Sequence, residues 1–192
     1  DVTASVAKDM CDALRARLTP AAQRGGSSAD IARELLGFLE PLRQGMVARI
    51  WLYGQNGVPG WTCVSSSRAS LPEIREPWAS TYRRATFVPP ADGGSEAVLH
   101  DGPVSVTPDL AGVAGGGGAV SLMATAVWDE DRPAACVEVF AAGPVSLDSP
   151  LRKGVALSAE LLAIAARSQR LERTVRNRAQ KCPITGFRNK QW

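Results

Sequence analysis

Histidine is almost missing from this chain. His100 stands alone, and the four cysteines, Cys11, Cys63, Cys136 and Cys182, lie far apart. No C-x-x-C pair occurs and no ligand spacing surrounds His100, so a metal site has no support. A chain of 192 residues can bury a core without disulfide staples, and reduced structural thiols are expected. No apolar run approaches the ~20 residues of a membrane span, and nothing reads as a secretory signal. The expectation is a cytoplasmic chain with no membrane partner. It opens on Asp1 rather than Met, which reads as a start made by trimming or processing.

A surplus of one charge is also missing. Lys and Arg number 22 against 19 Asp and Glu, a net +3, which is too little to imply nucleic acid without a clustered face. The one basic cluster is Arg167, Arg170, Arg173, Arg176, Arg178 and Lys181, spread round a helix among Glu160 and Glu172. It reads as a solvated helix surface. Catalytic constellations are scarce too. There is no G-x-S-x-G elbow, and His100-Asp101 before Gly102 reads as a turn. The run Gly115–Gly118 lacks the Lys-Ser/Thr of a phosphate loop. "DEDR" at 129–132 reads as a solvated hairpin turn. A lone histidine is thin support for haem. No catalytic residue, no metal and no cofactor are expected from these residues.

What is present is a core and a periodic pattern. Val6, Met10, Leu14 and Leu18 recur at four-residue steps, an amphipathic helix with Thr3 as a candidate cap, ended by Pro20 and Gly25-Gly26. A second helix starts with Ser28 as cap and carries Ile31, Leu35, Leu36, Leu39 and Leu42 on one stripe, closed by Gly45. The pattern then turns extended. "MVARIWLYG" and "WTCVSSS" form a hairpin with Asn56-Gly57 near its tip. Residues 72–86 read as a short broken helix holding Trp78 and Tyr82, and 87–101 as a Pro/Gly-rich loop. "PVSVTPDL" alternates like a strand whose prolines suggest an edge. "AVSLMATAVW", the turn "DEDRP" and "AACVEVFAA" make an antiparallel pair. One long helix follows, with Ser149 as cap and Pro150 at its first position. Strands framed by helices imply α+β with an antiparallel sheet, the terminal helices on one face and the irregular middle on the other.

The long helix carries a second signal. Leu157, Leu161, Ile164, Ser168, Leu171, Val175, Arg178 and Cys182 are spaced as a heptad seam. Its Ala- and Leu-rich first half suits packing on the sheet. Beyond Arg167 the surroundings are highly charged, and the seam needs another helix to cover it. The same helix of a second chain is the simplest partner, giving a homodimer. The alternative is one amphipathic helix that overhangs.

This order of elements resembles a GAF domain, a small-ligand sensing and dimerisation module of bacterial signalling proteins. The likeness covers roughly residues 28–172. Its marks are "ADIARELLGFLEPLRQG" leading into "ARIWLYGQNG", the segment "HDGPVSVTPD", and the strand–turn–strand–loop–helix run from "GAVSLMATAVW" to "LLAIAARS". The end of the chain, "CPITGFRNK", resembles the opening of a GGDEF domain, the diguanylate cyclase unit, where the usual pattern is D-P-L-T-G-L-P-N-R. Pro183, Thr185, Gly186 and Asn189 match it, while Cys182 stands for the acidic residue and Arg188 for proline. The chain stops before any Gly-Gly-Asp/Glu-Glu-Phe segment, so no cyclase chemistry belongs to these residues. The resemblance implies residues 1–27 as an N-terminal helix and linker, 28–166 as a GAF-like domain, 167–182 as a signalling helix and 183–192 as the start of the output domain.

The cyclic-nucleotide signature of some GAF domains is not found, and His100 has no cysteine neighbour of the kind that holds a bilin. The expected ligand pocket lies between the sheet and residues 72–118. Trp51, Trp61, Trp78 and Tyr82 concentrate there, with Cys63, Met123, Thr125 and Glu138 on strands that would floor it. Each of these side chains is also ordinary core material. Glu138 is the most informative, because a buried carboxylate in an apolar strand needs a partner, which Arg49 or a ligand could supply, the alternative being a side chain that faces solvent. Two readings result. One is a sensory module in cyclic di-GMP signalling that dimerises and controls its output domain through a bound small molecule. The other is a ligand-free dimerisation or protein-docking module.

Overall fold

The computed structural model describes residues 4–54, 59–66, 76–78, 90–105 and 119–179. Three helices and five strands occur among them. These are α1 (Ala4–Gln23), α2 (Ser28–Leu39), a 3₁₀ turn (Glu40–Leu42), β1 (Val47–Tyr53), β2 (Trp61–Ser66), β3 (Glu96–Val104), β4 (Val120–Asp129), β5 (Arg132–Ala142) and α3 (Pro150–Ala179). The strands form one antiparallel sheet in the order β2-β1-β5-β4-β3. The fold is therefore α+β with N- and C-terminal helices, as the pattern of elements implied, and it is compatible with a GAF-like arrangement.

Local chemistry accounts for the helix ends. Pro20 does not stop α1, which runs on to Gln23. Proline fixes a helical φ, and the cost of its missing N–H is one bond near the helix end. The true stop is a Schellman closure: Gly25, at φ +73°, and Gly26 donate their N–H groups to Ala22 and Ala21. Ser27, not Ser28, caps α2 by accepting from the Asp30 N–H, and Ser28 is buried. The helix ends at Leu39, and Pro41 lies in the 3₁₀ turn that carries Leu42 into the core. At α3, Ser149 accepts from the Leu151 N–H at 3.2 Å with Pro150 first in the helix, the expected capping arrangement.

One face of the sheet is covered by α2 and α3. Ile31, Leu35 and Leu39 from α2 and Leu151, Leu157, Leu161 and Leu162 from α3 meet Ile50, Leu52, Val137 and Val139 in the main core. At about 1.5–3 kcal/mol for each large apolar side chain buried, this cluster dominates the stability. The first helix packs on α3 and α2 through Ala7, Leu14, Leu18 and Ala22. Arg15–Glu160 and Ser168–Gln23 are both separated by 145 residues, so α1 and α3 run parallel. The Arg15–Glu160 ion pair is exposed and contributes at most about 1 kcal/mol. The buried leucines hold α1 in place.

Strand β3 begins at Glu96, inside the stretch read as a loop, and contains His100 and Asp101 rather than turning at them. It lies at the sheet edge, where its proline is tolerated. A bulge between Val98 and His100 inserts Leu99. The bulge puts Val98 and Asp101 on the helix-covered face and His100 on the other.

Candidate functional site

Alternate residues of the central strands point away from the helices. In β1 these are Val47, Arg49 and Trp51, and in β5 Cys136, Glu138 and Phe140. Pairing aligns them into rows across the sheet. Arg49 stands opposite Glu138, Glu138 opposite Ala124, and Ala124 opposite His100. This middle row therefore carries a guanidinium, a carboxylate and an imidazole, all buried: Arg49 is 4% exposed, Glu138 0% and His100 8%. Ala124 places no bulk between Glu138 and His100, whose strands are separated by roughly 10 Å. The rows on either side are apolar, Val47–Phe140–Leu122 on one and Trp51–Cys136–Ala126 on the other.

A fully buried carboxylate is costly unless it is bonded. The Trp51 Nε1–H donates to Glu138 Oε2 at 2.8 Å. The Arg49 guanidinium lies 5.8 Å from the centre of the Phe140 ring, within cation–π range. Trp78 meets the same ring edge-on, with centroids 5.6 Å apart. Burial, followed by the Glu138 carboxylate, pushes the Cys136 thiol well above its ordinary range. It stays protonated and unreactive. The row thus gathers a guanidinium, a carboxylate and an imidazole in a buried setting, with no activated nucleophile among them.

Four expected pocket residues share this face: Trp51, Cys63, Trp78 and Glu138. Cys63 lies opposite Trp51 on β2 and is exposed. Trp61 sits at the outer end of the hairpin, edge-on to Tyr53 at 5.2 Å. Tyr82 lies outside the described residues. Met123 and Thr125 do not floor this face. They alternate with Ala124 and point toward the helices, where Met123 joins the main core. Every position from Val120 to Trp128 is buried, so hydrophobicity alone could not assign their face. Arg49 proves to be the cross-strand neighbour of Glu138. His100, read as part of a turn, is the member of the row that sequence reasoning missed. Nothing in the sequence reveals a register, although a lone buried-type polar residue on each of three strands was a usable hint.

The seam of α3 divides in two. Leu157 and Leu161 belong to the chain's own core and are closed to any partner, and Ile164 is half-buried. Ser168 donates to the Gln23 carbonyl, and Gln169 Nε2 to Gly26 O at 2.8 Å. Arg170 reaches Asp129 and Glu130, each at 2.8 Å. The "DEDR" turn is thus more than a solvated hairpin, since it fastens the helix. Glu130 adopts φ +60°, a conformation glycine would favour, while its carboxylate meets Arg170. Beyond Arg170 the helix is exposed, Leu171 by 50% and Val175 by 66%.

Among the described residues, no three His, Cys, Asp or Glu side chains gather closely enough to hold a metal ion. No helix there is long and apolar enough to cross a membrane. No protein-family model matches the chain, and no curated protein matches it in sequence.

Proposed function

We propose that the chain is a GAF-like regulatory module that forms a homodimer and controls a GGDEF-like output domain in cyclic di-GMP signalling. A small ligand on the Arg49–Glu138–His100 face biases its state. The observation that carries this reading is the continuity of α3. One unbroken helix packs on the sheet through Ala165, is fastened at Ser168, Gln169 and Arg170, and then runs exposed toward "KCPITGFRNK". A change of ligand state on the sheet can then shift a rod that leads out of the domain, provided the ligand binds the two arrangements unequally. Leu171 and Val175 supply the apolar stripe for pairing with a second copy.

The test uses the full-length protein. Inserting four residues after Arg170 changes the phase of a paired helix, whereas inserting seven preserves it. The four-residue variant is expected to lose control of cyclic di-GMP output and the seven-residue variant to keep it. Equal behaviour of the two, or a full-length protein that neither makes nor binds cyclic di-GMP, overturns the reading.

A ligand-free dimerisation or docking module is the second reading. It is favoured by the way the chain's own Trp51 and Trp78 occupy the face. Thermal-shift screening with nucleotides and metabolites, with mass spectrometry of any copurified molecule, separates the two. A stabilising ligand supports the sensor, and none across the screen supports the scaffold.

A further inference from the structure

The helix-covered side of the sheet has a feature of its own. A cavity of about 370 Å³ opens between the β3–β4 edge and the first half of α3. Met123 and Val155 form its apolar floor, and the 71%-exposed Val98 lies at its mouth. Its volume falls in the range that holds small organic molecules. Its lining includes His100 of the edge strand, while Arg49 and Glu138 lie on the opposite face.

Five polar residues line the cavity: Glu96, His100, Asp101, Thr125 and Arg152. At one end stands Arg152. It pairs with Asp101 and donates to the Ser146 carbonyl at 2.9 Å and the Val145 carbonyl at 3.2 Å. At that end the Asp101 carboxylate balances the guanidinium charge. In the middle, Thr125 is 9% exposed, and its hydroxyl has no hydrogen-bond partner among the described residues. At the other end stands Glu96, which forms no ion pair among the described residues. Burial by the groove walls, and then the charge of Glu160, push the Glu96 carboxyl above its ordinary value. Glu160 already pairs with Arg15. Arg167 lines the adjoining groove but pairs with neither glutamate. Glu96 is therefore the cavity acid that no cation among the described residues pairs, above an apolar floor, and His100 also lines it.

We propose that this cavity binds a small organic ammonium with an apolar body, the cation on the Glu96 carboxylate, one N–H on the Thr125 hydroxyl, and the body on Met123 and Val155. Charge-assisted hydrogen bonds are the stronger kind, and partial desolvation strengthens them further. A ligand here presses directly on α3. The site does not rest on the reading of the opposite face, and failure here leaves that reading standing.

The probe is 2-phenylethylammonium, compared at neutral pH with neutral 2-phenylethanol and anionic 3-phenylpropionate, by calorimetry and by NMR of backbone amides. The ammonium is expected to saturate at millimolar concentration or below. It should bind at least about tenfold more tightly than the alcohol and move the amides of residues 96–98, 123–125 and 155–156. Glu96→Gln sits at the surface and keeps the fold. It should reduce the ammonium to the affinity of the alcohol, and the near-isosteric Thr125→Val should weaken it by roughly threefold. Equal affinity for all three probes, no saturation at tens of millimolar, an unaffected Glu96→Gln variant, or shifts confined to the Trp51 and Glu138 face would each overturn the proposal.

Discussion

Replacing Glu138 by leucine removes the one carboxylate in a 0%-exposed position of the sheet. It strands the Trp51 Nε1–H, which donates to Glu138 at 2.8 Å, and leaves Arg49 buried at 4% without the acid directly across from it. Leaving a buried donor unsatisfied costs about 1–3 kcal/mol, and more for a charged group, so a loss of at least about 3 kcal/mol is expected. Glu138→Gln keeps an acceptor for Trp51 and loses only the charge, so about 1–3 kcal/mol is expected. The decisive variant is the double one, Arg49→Met with Glu138→Leu. It removes both charges and fills their space with apolar atoms, and it should be markedly more stable than the sum of the singles predicts. A favourable coupling of roughly 2 kcal/mol is expected for neighbours of this kind. Urea denaturation followed by tryptophan fluorescence and circular dichroism measures each corner. It should be done at low temperature, because a total stability of about 5–15 kcal/mol leaves the leucine variant little margin. Additivity within about 0.5 kcal/mol would mean that the two residues do not act as a unit, and the polar row would lose its meaning as a site.

Three other outcomes are expected. A Cβ on Gly154 would lie 2.6 Å from Leu42 Cδ1, 3.1 Å from Leu39 and 3.2 Å from Phe38. The crowding outweighs the helix propensity gain of about 1 kcal/mol, so Gly154→Ala should not stabilise, and Gly154→Leu should cost over roughly 3 kcal/mol by urea midpoint. A more stable alanine variant would show that α2 and α3 can part freely. Because the Glu96 carboxyl is raised, the folded state holds its proton more tightly than the unfolded state. Stability from this group is present at low pH and falls as pH rises through and above the usual glutamate range. Glu96→Gln should therefore gain on the wild type as pH rises from 4 to 7, in thermal melts, and a gap that shrinks instead contradicts the desolvation. Finally, alkylation at neutral pH mapped by mass spectrometry should label exposed Cys63 well before buried Cys136. Early labelling of Cys136 would mean that the sheet face opens.

The parts of this molecule that obey a period were legible in its sequence. The two-stranded pairs and the capped start of α3 follow from alternation and from Ser149-Pro150. Element limits set by tertiary context were not. Pro20 stays inside α1 because a helix near its end needs few further bonds. The first half of β3 hides because an edge strand with exposed Glu96 and Val98 shows no hydrophobic alternation until His100. At the site, Glu138 stood out as a charge in an apolar run, with Arg49 one of the partners open to it. His100 could be placed beside them only by the bulge at Leu99 and the register of three strand pairs. Those are long-range facts that no local pattern encodes. The same holds for Met123 and Thr125, which lie in a strand buried on both faces.

The central proposal is that the exposed stripe of α3 beyond Arg170, Leu171 and Val175, pairs with a second copy. Sedimentation equilibrium over a wide concentration range tests it most directly, using the wild type and a Leu171→Glu/Val175→Glu variant. The account predicts a reversible dimer for the wild type and a folded monomer for the variant at every concentration. A wild type that stays monomeric at the highest concentration, or a variant that dimerises as tightly as the wild type, would contradict it.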